Sequence, residues 1–228
     1  MGIQSEIIDG IGHIRLDRTQ KANAYDRAHL LALRDAFRLL SPLTSVVVIS
    51  STSDRVFCAG ADLDEMKLAT PEDAENLLSQ AVFTEIARAP IVSMAVVDGP
   101  AVAGGCELAL AADLRVIGTG AQFRLPETRL GIIPAAGGCT RLTGLLGASI
   151  AKQVILGGGD ISAAQAVAWG LGRAGDDDAM TVATAWAAQI RDSSPEARSA
   201  AKRIIDQAAE DASLLAERMA QSTLYAKR

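Results

Sequence analysis

Apolar and polar positions divide the chain into short apolar runs and longer amphipathic segments. Residues 4–8 and 12–16 alternate imperfectly between the two classes, and Asp9-Gly10 between them favours a type I′ hairpin turn. From Asp26 to Leu40 the apolar residues recur at helical spacing, and Asp26 is a suitable N-cap. The pattern therefore predicts a β-hairpin followed by an amphipathic helix.

Three mainly apolar runs predict buried strands: Val46 to Ile49, Ile91 to Val97 and Leu114 to Ile117. Thr70-Pro71 predicts a helix start, because proline is tolerated at the first helical position. Asp98-Gly99-Pro100 predicts a turn, and Gly105 to Ala112 a helix. This alternation favours an α/β fold with a parallel sheet and right-handed crossovers, and it leaves an ordinary doubly wound fold open.

From Ser162 onward the pattern is almost wholly helical. Ser162 to Gln165 resembles a capping box, and Ser194-Pro195-Glu196 is a second helix start. The length of 228 residues fits one large domain, or one domain with a helical appendage, and 49% hydrophobic residues can form a sizeable core.

Charge and rare residues exclude several functions. The net charge is −5 and no basic stripe is visible, which argues against a nucleic-acid partner. Cys58, Cys106 and Cys139 have no metal-ligand spacing, so we interpret them as packing residues. We interpret His13 and His29 as structural, and we expect no metal site. Neither a signal sequence nor an apolar run of membrane length is present, so we expect a cytoplasmic protein.

The residues with chemical potential lie in three glycine-marked segments. Glu107 follows Gly104-Gly105-Cys106 on an otherwise apolar helix, where burial is expected to raise the pKa of its carboxyl. Glu127 comes twenty positions later, directly before residues 128–138, and the third segment is residues 57–63. Two carboxylates can move protons to and from carbon, while glycine-rich turns can direct backbone N–H groups at a developing oxyanion. Such a set suits chemistry beside a carbonyl group.

Together these segments resemble the crotonase (enoyl-CoA hydratase/isomerase) superfamily. The resemblance begins in residues 11–18 and at Asn23-Ala24, includes the three segments, and reaches Trp169-Gly170-Leu171. It implies a crotonase-like spiral of ββα turns over residues 1–190. It also implies C-terminal helices over residues 191–228, shortened relative to the family, that assemble the protein into a trimer or a pair of trimers.

The resemblance also assigns roles to individual residues. It makes Glu107 and Glu127 the catalytic pair, and the N–H groups of Ala61 and Gly104 the oxyanion hole for a thioester carbonyl. It implies that a further set contacts the substrate or its coenzyme A part: Lys21, Ala22, Ala59, Gly60, Asp62, Leu63 and Ala135. Coenzyme A enters as part of the substrate, and no separate cofactor is expected.

Two positions depart from the family pattern. Ala135 stands where the family commonly has glycine, so its methyl group is expected to crowd the acyl pocket. Asp64 stands where some hydratases have a lysine that meets coenzyme A, and an acid there is expected to repel phosphate. Lys21, Arg18 and Lys67 are the candidate cations that replace this lysine.

The presence of both glutamates makes hydration of a 2-enoyl-CoA thioester the leading implication, with a place in fatty acid metabolism. Glu107 would take a proton from water as the water attacks Cβ, and Glu127 would supply a proton to Cα. Three alternatives stay open: an enoyl-CoA isomerase, a dehydratase acting on thioesters of an acyl carrier protein, and a catalytically silent thioester-binding subunit. The sequence does not indicate the acyl chain.

Overall fold

The computed structural model describes residues 2–68, 70–175, 178–206, 218–219 and 222–223. Its strands are β1 (Ile3–Ile8), β2 (Ile11–Leu16), β3 (Val46–Ser51), β4 (Val92–Val97), β5 (Pro100–Val102), β6 (Leu114–Ile117), β7 (Gln122–Arg124), β8 (Ile161–Ser162) and β9 (Arg173–Ala174). Its α-helices are α1 (Arg27–Leu40), α2 (Leu63–Met66), α3 (Pro71–Glu75), α4 (Leu78–Arg88), α5 (Gly104–Ala111), α6 (Gly138–Ile155), α7 (Ala163–Ala168), α8 (Ala179–Arg191) and α9 (Pro195–Asp206). Two 3-10 helices cover Thr19–Lys21 and Glu127–Leu130.

The strands form two sheets. The larger has the order β1-β2-β3-β4-β6-β9, and the smaller has the order β5-β7-β8. Only β1/β2 and β7/β8 pair antiparallel, so most of both sheets is parallel, as the alternation of strands and helices predicted. Asp9 and Gly10 have φ angles of 49° and 75°, which a type I′ turn requires, and the predicted hairpin is confirmed.

The core lies on both faces of the larger sheet, because successive side chains of a strand point to opposite faces. In β3, Val47 and Ile49 pack with α1, α4 and α5, while Val46 and Val48 pack with α8. A strand covered on both sides can be apolar at every position, which explains the uninterrupted run at Val46 to Ile49. The helices of the first layer, α4 and α5, then carry the residues of the site described below.

Short strands account for the errors of the sequence prediction. Pro100, assigned to a turn, begins β5, and the region after Ser162 contains β9 although it was predicted as almost wholly helical. Strands of two or three residues are too short to show alternation. Whether they form depends on the strands with which they pair. The predicted helix starts are confirmed: Thr70 forms a capping box for α3, and Ser162 forms one for α7.

The last described helix, α9, is attached to the core by a buried amine. Lys202 Nζ donates to the Ile91 carbonyl at 3.0 Å and to Asp113 Oδ2 at 2.7 Å. Asp113 also accepts from the Ser93 hydroxyl at 3.0 Å, so Ser93 is a hydrogen-bonding residue as well as a packing one. The boundary expected at residue 190 stays a prediction, and most of the chain after Asp206 lies outside the described residues.

Candidate active site

A cavity of about 480 Å³ brings the separate glycine-marked segments together. Among the residues predicted for the site, those that line it are Ala59, Ala61, Leu63, Gly104, Glu107, Glu127 and Ala135. The other four lie behind or beside the wall: Lys21, Ala22, Gly60 and Asp62. Both glutamates and both proposed oxyanion donors therefore face one space, although they come from three distant parts of the sequence.

The backbone around Ala61 is held from both sides by Tyr25. The Tyr25 N–H donates to the Gly60 carbonyl at 2.8 Å, and the Tyr25 carbonyl accepts from the Asp62 N–H at 2.7 Å. Between these bonds, the Ala61 N–H has no acceptor in the described part of the chain. Gly104 is the first residue of α5, so its N–H also lacks an intrahelical partner. Both N–H groups are therefore available to a ligand oxygen.

Glycine allows the two donor segments to touch. A Cβ at Gly105 would lie 2.0 Å from the Cys58 carbonyl oxygen, and a Cβ at Gly60 would lie 3.0 Å from the Gly104 nitrogen. Gly60 has a φ of 92°, which L side chains rarely adopt. The residue before the helix, Ala103, has a φ of 50° and a ψ of −126°, a conformation that costs of order 1–3 kcal/mol. Backbone strain is thus concentrated where the two donors meet.

Glu107 is 4% exposed, and its carboxylate has a partner that the sequence did not reveal. The N–H of Gly138 donates to Glu107 Oε1 at 2.8 Å. Gly138 is the first residue of α6, so the positive end of the helix dipole also faces this carboxylate. An ionised Glu107 is stabilised by this arrangement, and it can accept a proton.

Two side chains fix the loop that precedes α6. Gln80 Nε2 donates to the Ala135 carbonyl at 2.6 Å, and Arg141 Nη1 donates to the Ala136 carbonyl at 2.8 Å. The backbone leading to Gly138 is therefore held from α4 and from α6 itself. Ala135 itself lines the cavity, and the expected crowding of an acyl group by its methyl stays a prediction.

Glu127 lies in a different environment from Glu107. It begins the 3-10 helix Glu127–Leu130, it is 5% exposed, and its Oε2 has no hydrogen-bond partner among the described residues. Burial in these surroundings raises the pKa of Glu127 from 4.5 to about 7. Near neutral pH a large share of this carboxyl is protonated, so it can donate a proton to a bound ligand.

The charges beside the cavity are paired with one another. Arg18 Nη1 lies 3.1 Å from Asp62 Oδ2 and donates to the Ala24 carbonyl, so Arg18 braces the loop. Asp64 lies 3.6 Å from Lys21 Nζ and 3.1 Å from Lys67 Nζ. Two lysines offset the negative charge of Asp64, and both remain at least half exposed.

Tyr25 and Ser79 also line the cavity, and the sequence analysis did not select either of them. Tyr25 directly follows Asn23-Ala24, which was noted as part of the family resemblance, and that position was the available signal. Ser79 lies within α4, where neither periodicity nor a motif distinguishes it. The roles of Gln80 and Arg141 were not predicted either. Gln80 acts on backbone 55 positions away, and the bond of Arg141 to the Ala136 carbonyl depends on the conformation of the loop before α6.

The chain is similar to several known proteins. A model of the enoyl-CoA hydratase/isomerase family matches residues 6–228. The probable enoyl-CoA hydratase 2, mitochondrial, of Arabidopsis thaliana is 39% identical over 209 residues, which cover 88% of this chain and 69% of that protein. An enoyl-CoA isomerase/hydratase of Zymoseptoria tritici is 38% identical over 165 residues, which cover 69% of this chain and 54% of that protein. The match therefore spans about half the length of the fungal relative.

A solved structure extends the likeness to the whole fold. The enoyl-CoA hydratase of Bacillus anthracis has a TM-score of 0.85 and 29% identity, over 98% of this chain and 90% of that one. The two sheets and the cavity between α4, α5 and α6 define a protein of the crotonase fold. The chain belongs to the enoyl-CoA hydratase/isomerase family. Within the described ranges, no helix has the length and apolar character needed to cross a membrane.

Proposed function

We propose that this protein is an enoyl-CoA hydratase that adds water across the double bond of a 2-enoyl-CoA thioester. The observation that carries the proposal is the contrast between two carboxyl groups in one cavity. Glu107 accepts a hydrogen bond from the start of α6, whereas burial raises the pKa of Glu127 to about 7. One group suits the role of base and the other the role of acid, which addition of water requires.

In the proposed reaction the thioester oxygen accepts hydrogen bonds from the N–H groups of Ala61 and Gly104. Glu107 takes a proton from water while the water oxygen bonds to Cβ, and the double-bond electrons move toward the thioester. Glu127 donates its proton to Cα, which completes syn addition. Proton exchange with solvent then returns Glu107 to its ionised form and Glu127 to its protonated form. Removing one oxyanion donor typically costs 10²–10³ in turnover.

Coenzyme A enters this scheme as part of the substrate, with no separate cofactor. The cavity wall at Ala59, Leu63 and Ala135 would contact the acyl and pantetheine parts. Lys21 and Lys67 are exposed beside the segment that contains Ala61, so they are the cations proposed to meet the phosphates. Ala22, Gly60 and Asp62 would support this wall from behind, since Ala22 accepts from the Ala59 N–H and Asp62 caps α2.

An enoyl-CoA isomerase is the second candidate, favoured by the similarity to the fungal enoyl-CoA isomerase/hydratase. The same two carboxyl groups can move a proton between Cα and Cγ without the addition of water. Purified protein should be given 2-enoyl-CoA and 3-enoyl-CoA esters, and the loss or gain of the conjugated enoyl absorbance should be followed. Loss with the 2-enoyl ester supports hydration, and gain with the 3-enoyl ester supports isomerisation.

The same assay separates the remaining alternatives. Equal panels of coenzyme A and acyl-carrier-protein thioesters decide which carrier the protein uses, and a panel of short, long, branched and aromatic chains identifies the acyl group. Binding of a thioester without turnover of either ester would overturn the proposal in favour of a silent binding subunit.

We also propose that the protein is a trimer or a pair of trimers in the cytoplasm. The support for assembly is the exposure of Ile204 and Ile205, at 66% and 73% in the single chain, on the helix that ends the described core. The plant relative is mitochondrial by name, so fractionation of cells that produce the native protein is the test of location. Recovery in an organelle fraction would contradict the cytoplasmic proposal.

A further inference from the structure

Tyr25 contacts both halves of the oxyanion hole. Its backbone brackets Ala61 through the bonds to Gly60 and Asp62 described above. Its side chain reaches the other half, because a Cβ placed on Gly104 would lie 1.8 Å from the Tyr25 hydroxyl oxygen. The phenol hydroxyl therefore fills the space that a side chain at position 104 would occupy. Glycine at this position admits the hydroxyl to the wall of the cavity.

The orientation of the ring is fixed by two neighbours. Tyr25 packs edge-on against Phe83, with ring centroids 5.8 Å apart and an interplanar angle of 88°. Its hydroxyl is hydrogen-bonded to the hydroxyl of Ser79, a buried residue of α4 that lines the same cavity. The bond to Ser79 holds the Tyr25 hydroxyl beside Gly104 at the wall of the cavity. A ligand oxygen that is bound by the Gly104 N–H would therefore lie close to this hydroxyl.

The protonation state suits a hydrogen-bond donor. Burial, followed by the negative charge of Glu107, raises the pKa of Tyr25 well above its usual value. The phenol therefore keeps its proton throughout the physiological range. When Ser79 donates to the phenol oxygen, the phenol proton is left for a ligand, and the first bond strengthens the second.

We propose that the Tyr25 hydroxyl, oriented by Ser79, donates a third hydrogen bond to the thioester oxygen beside the N–H groups of Ala61 and Gly104. This inference rests on the proposed function, because it takes a thioester as the ligand. The developing charge on that oxygen makes the bond stronger in the transition state than in the bound substrate. Tyr25 then acts on turnover more than on binding.

The kinetic test is Tyr25→Phe, which keeps the ring, its contact with Phe83 and the backbone bonds. We expect kcat to fall 10- to 100-fold, by analogy with the loss of an oxyanion donor, while KM changes less than threefold. Thr44→Val is the matched control, since it removes a hydroxyl that donates to the Leu40 carbonyl at 3.0 Å away from the cavity. The control should keep normal turnover.

Ser79→Ala tests the orientation of the phenol. We expect a smaller loss of kcat than in Tyr25→Phe, and no additional loss when both substitutions are combined, because the two hydroxyl groups act as one unit. Losses that multiply in the double variant would overturn the link between them.

A spectroscopic measurement separates donation from packing. An aryl-conjugated enoyl-CoA ester absorbs at longer wavelength when its carbonyl is polarised, so its red shift on binding reports the strength of the oxyanion hole. We expect this shift to shrink in Tyr25→Phe and to persist in Thr44→Val. An unchanged shift in a folded Tyr25→Phe protein would overturn the proposal, whatever happens to turnover. If Tyr25→Phe does not fold, Ser79→Ala takes its place in the same measurement.

The same probe distinguishes failure of this inference from failure of the proposed function. A wild-type protein that hydrates none of the tested esters, but whose spectral shift on binding shrinks in Tyr25→Phe, would overturn the hydratase proposal and leave the role of Tyr25 supported. Wild-type protein that hydrates while Tyr25→Phe retains the full shift would do the reverse.

Discussion

At the scale of single residues, the two glutamates differ because of what surrounds them. Glu107 receives the Gly138 N–H at the start of a helix, while Glu127 Oε2 has no partner in the described residues. Backbone placement supplies a hydrogen bond to the Glu107 carboxylate, whereas burial raises the pKa of the Glu127 carboxyl. This difference in surroundings is the basis of the proposed division of labour between base and acid.

Removal of either carboxyl should strongly reduce the rate of hydration. Glu107→Gln and Glu127→Gln keep the shape of each side chain, so we expect thioester binding to persist and kcat to fall by about 10²–10⁴. The double variant should lose much less than the product of the two losses. Exchange of the Cα proton with solvent, followed by NMR, assigns the roles: Glu107→Gln should retain more exchange than Glu127→Gln. The opposite order would reverse the assignment.

The raised pKa of Glu127 should appear in the pH dependence of activity. Glu127 must carry its proton to donate it, and that proton is lost as the pH rises through about 7. We expect kcat/KM to fall about tenfold per pH unit above this value, since this parameter reports the free enzyme. The residual activity of Glu127→Gln should lack this descending limb. A profile that stays level to pH 9 would contradict the role of Glu127 as the acid.

The residues of the site were predictable to different degrees. Glu107 and Gly104 lie in one short motif, and the structure brings both to the cavity together with Ala61. Tyr25 and Gly138 were missed as partners, because each contacts a residue more than 30 positions away and no local pattern encodes that contact. Motifs identify the reacting groups, whereas the groups that orient them depend on tertiary contacts.

At the scale of secondary-structure elements, the start of α6 matters most. Its first residue supplies the N–H that Glu107 accepts, and Gln80 and Arg141 hold the preceding loop. A Cβ at Gly138 would lie 2.9 Å from Glu107 Oε1 and 2.7 Å from the Pro134 side chain. The helix therefore begins where only glycine allows the carboxylate to approach.

A pair of alanine substitutions within α6 tests this point. Gly138→Ala should push Glu107 out of position and lower kcat at least tenfold, because small displacements of a catalytic group are costly. Gly144→Ala is the control, since a Cβ there meets nothing within 4 Å. It should leave kcat unchanged and raise the free energy of unfolding by up to about 1 kcal/mol. Equal kcat values in the two variants would contradict the role of the α6 start.

Prediction of elements from the sequence succeeded where local residues determine the structure. It failed where strand pairing determines the structure. The cap at Asp26 and the turn at Asp9-Gly10 are local, and both are confirmed. The short strands β5, β8 and β9 exist because neighbouring backbone offers hydrogen bonds, which a window of two or three residues cannot reveal. The spiral arrangement came from resemblance, since the pattern alone left a doubly wound sheet open.

At the scale of the whole molecule, the exposed residues of α9 bear on the oligomeric state. On α9, Ile204 and Ile205 are exposed while Lys202 anchors the helix to the core. Two adjacent exposed isoleucines on an anchored helix favour burial against another copy. The same helix also carries Ala197, Ala200 and Ala201.

Light scattering should report a trimer or hexamer at micromolar concentration. Ile205→Asp should shift the population toward smaller species, because a charge at a buried interface is unfavourable. Leu43→Asp is the control, since Leu43 is similarly exposed, at 61%, in the turn that follows α1. A clean monomer in the wild-type protein would refute the assembly proposal.

The burial of the Glu127 carboxyl has a consequence for the thermodynamic stability of the whole protein. Its folded-state pKa of about 7 exceeds the ordinary value of 4.5, so between these pH values the folded chain holds a proton that the unfolded chain has released. The stabilisation is complete below pH 4.5, declines as the pH rises, and is lost above about 7, by roughly 3 kcal/mol in all.

Glu127→Gln does not titrate, so its stability relative to the wild type should increase across this window. Urea unfolding of both proteins at pH 4.5 and pH 8 measures that difference. Titrating groups elsewhere affect both proteins equally, so their contributions cancel. A constant difference would contradict the origin assigned to the raised pKa. The free energy of unfolding of Glu127→Gln, relative to that of the wild type, is thus expected to be higher at pH 8 than at pH 4.5. Selection for stability near pH 8 would thus act against the carboxyl to which the proposed reaction assigns the proton.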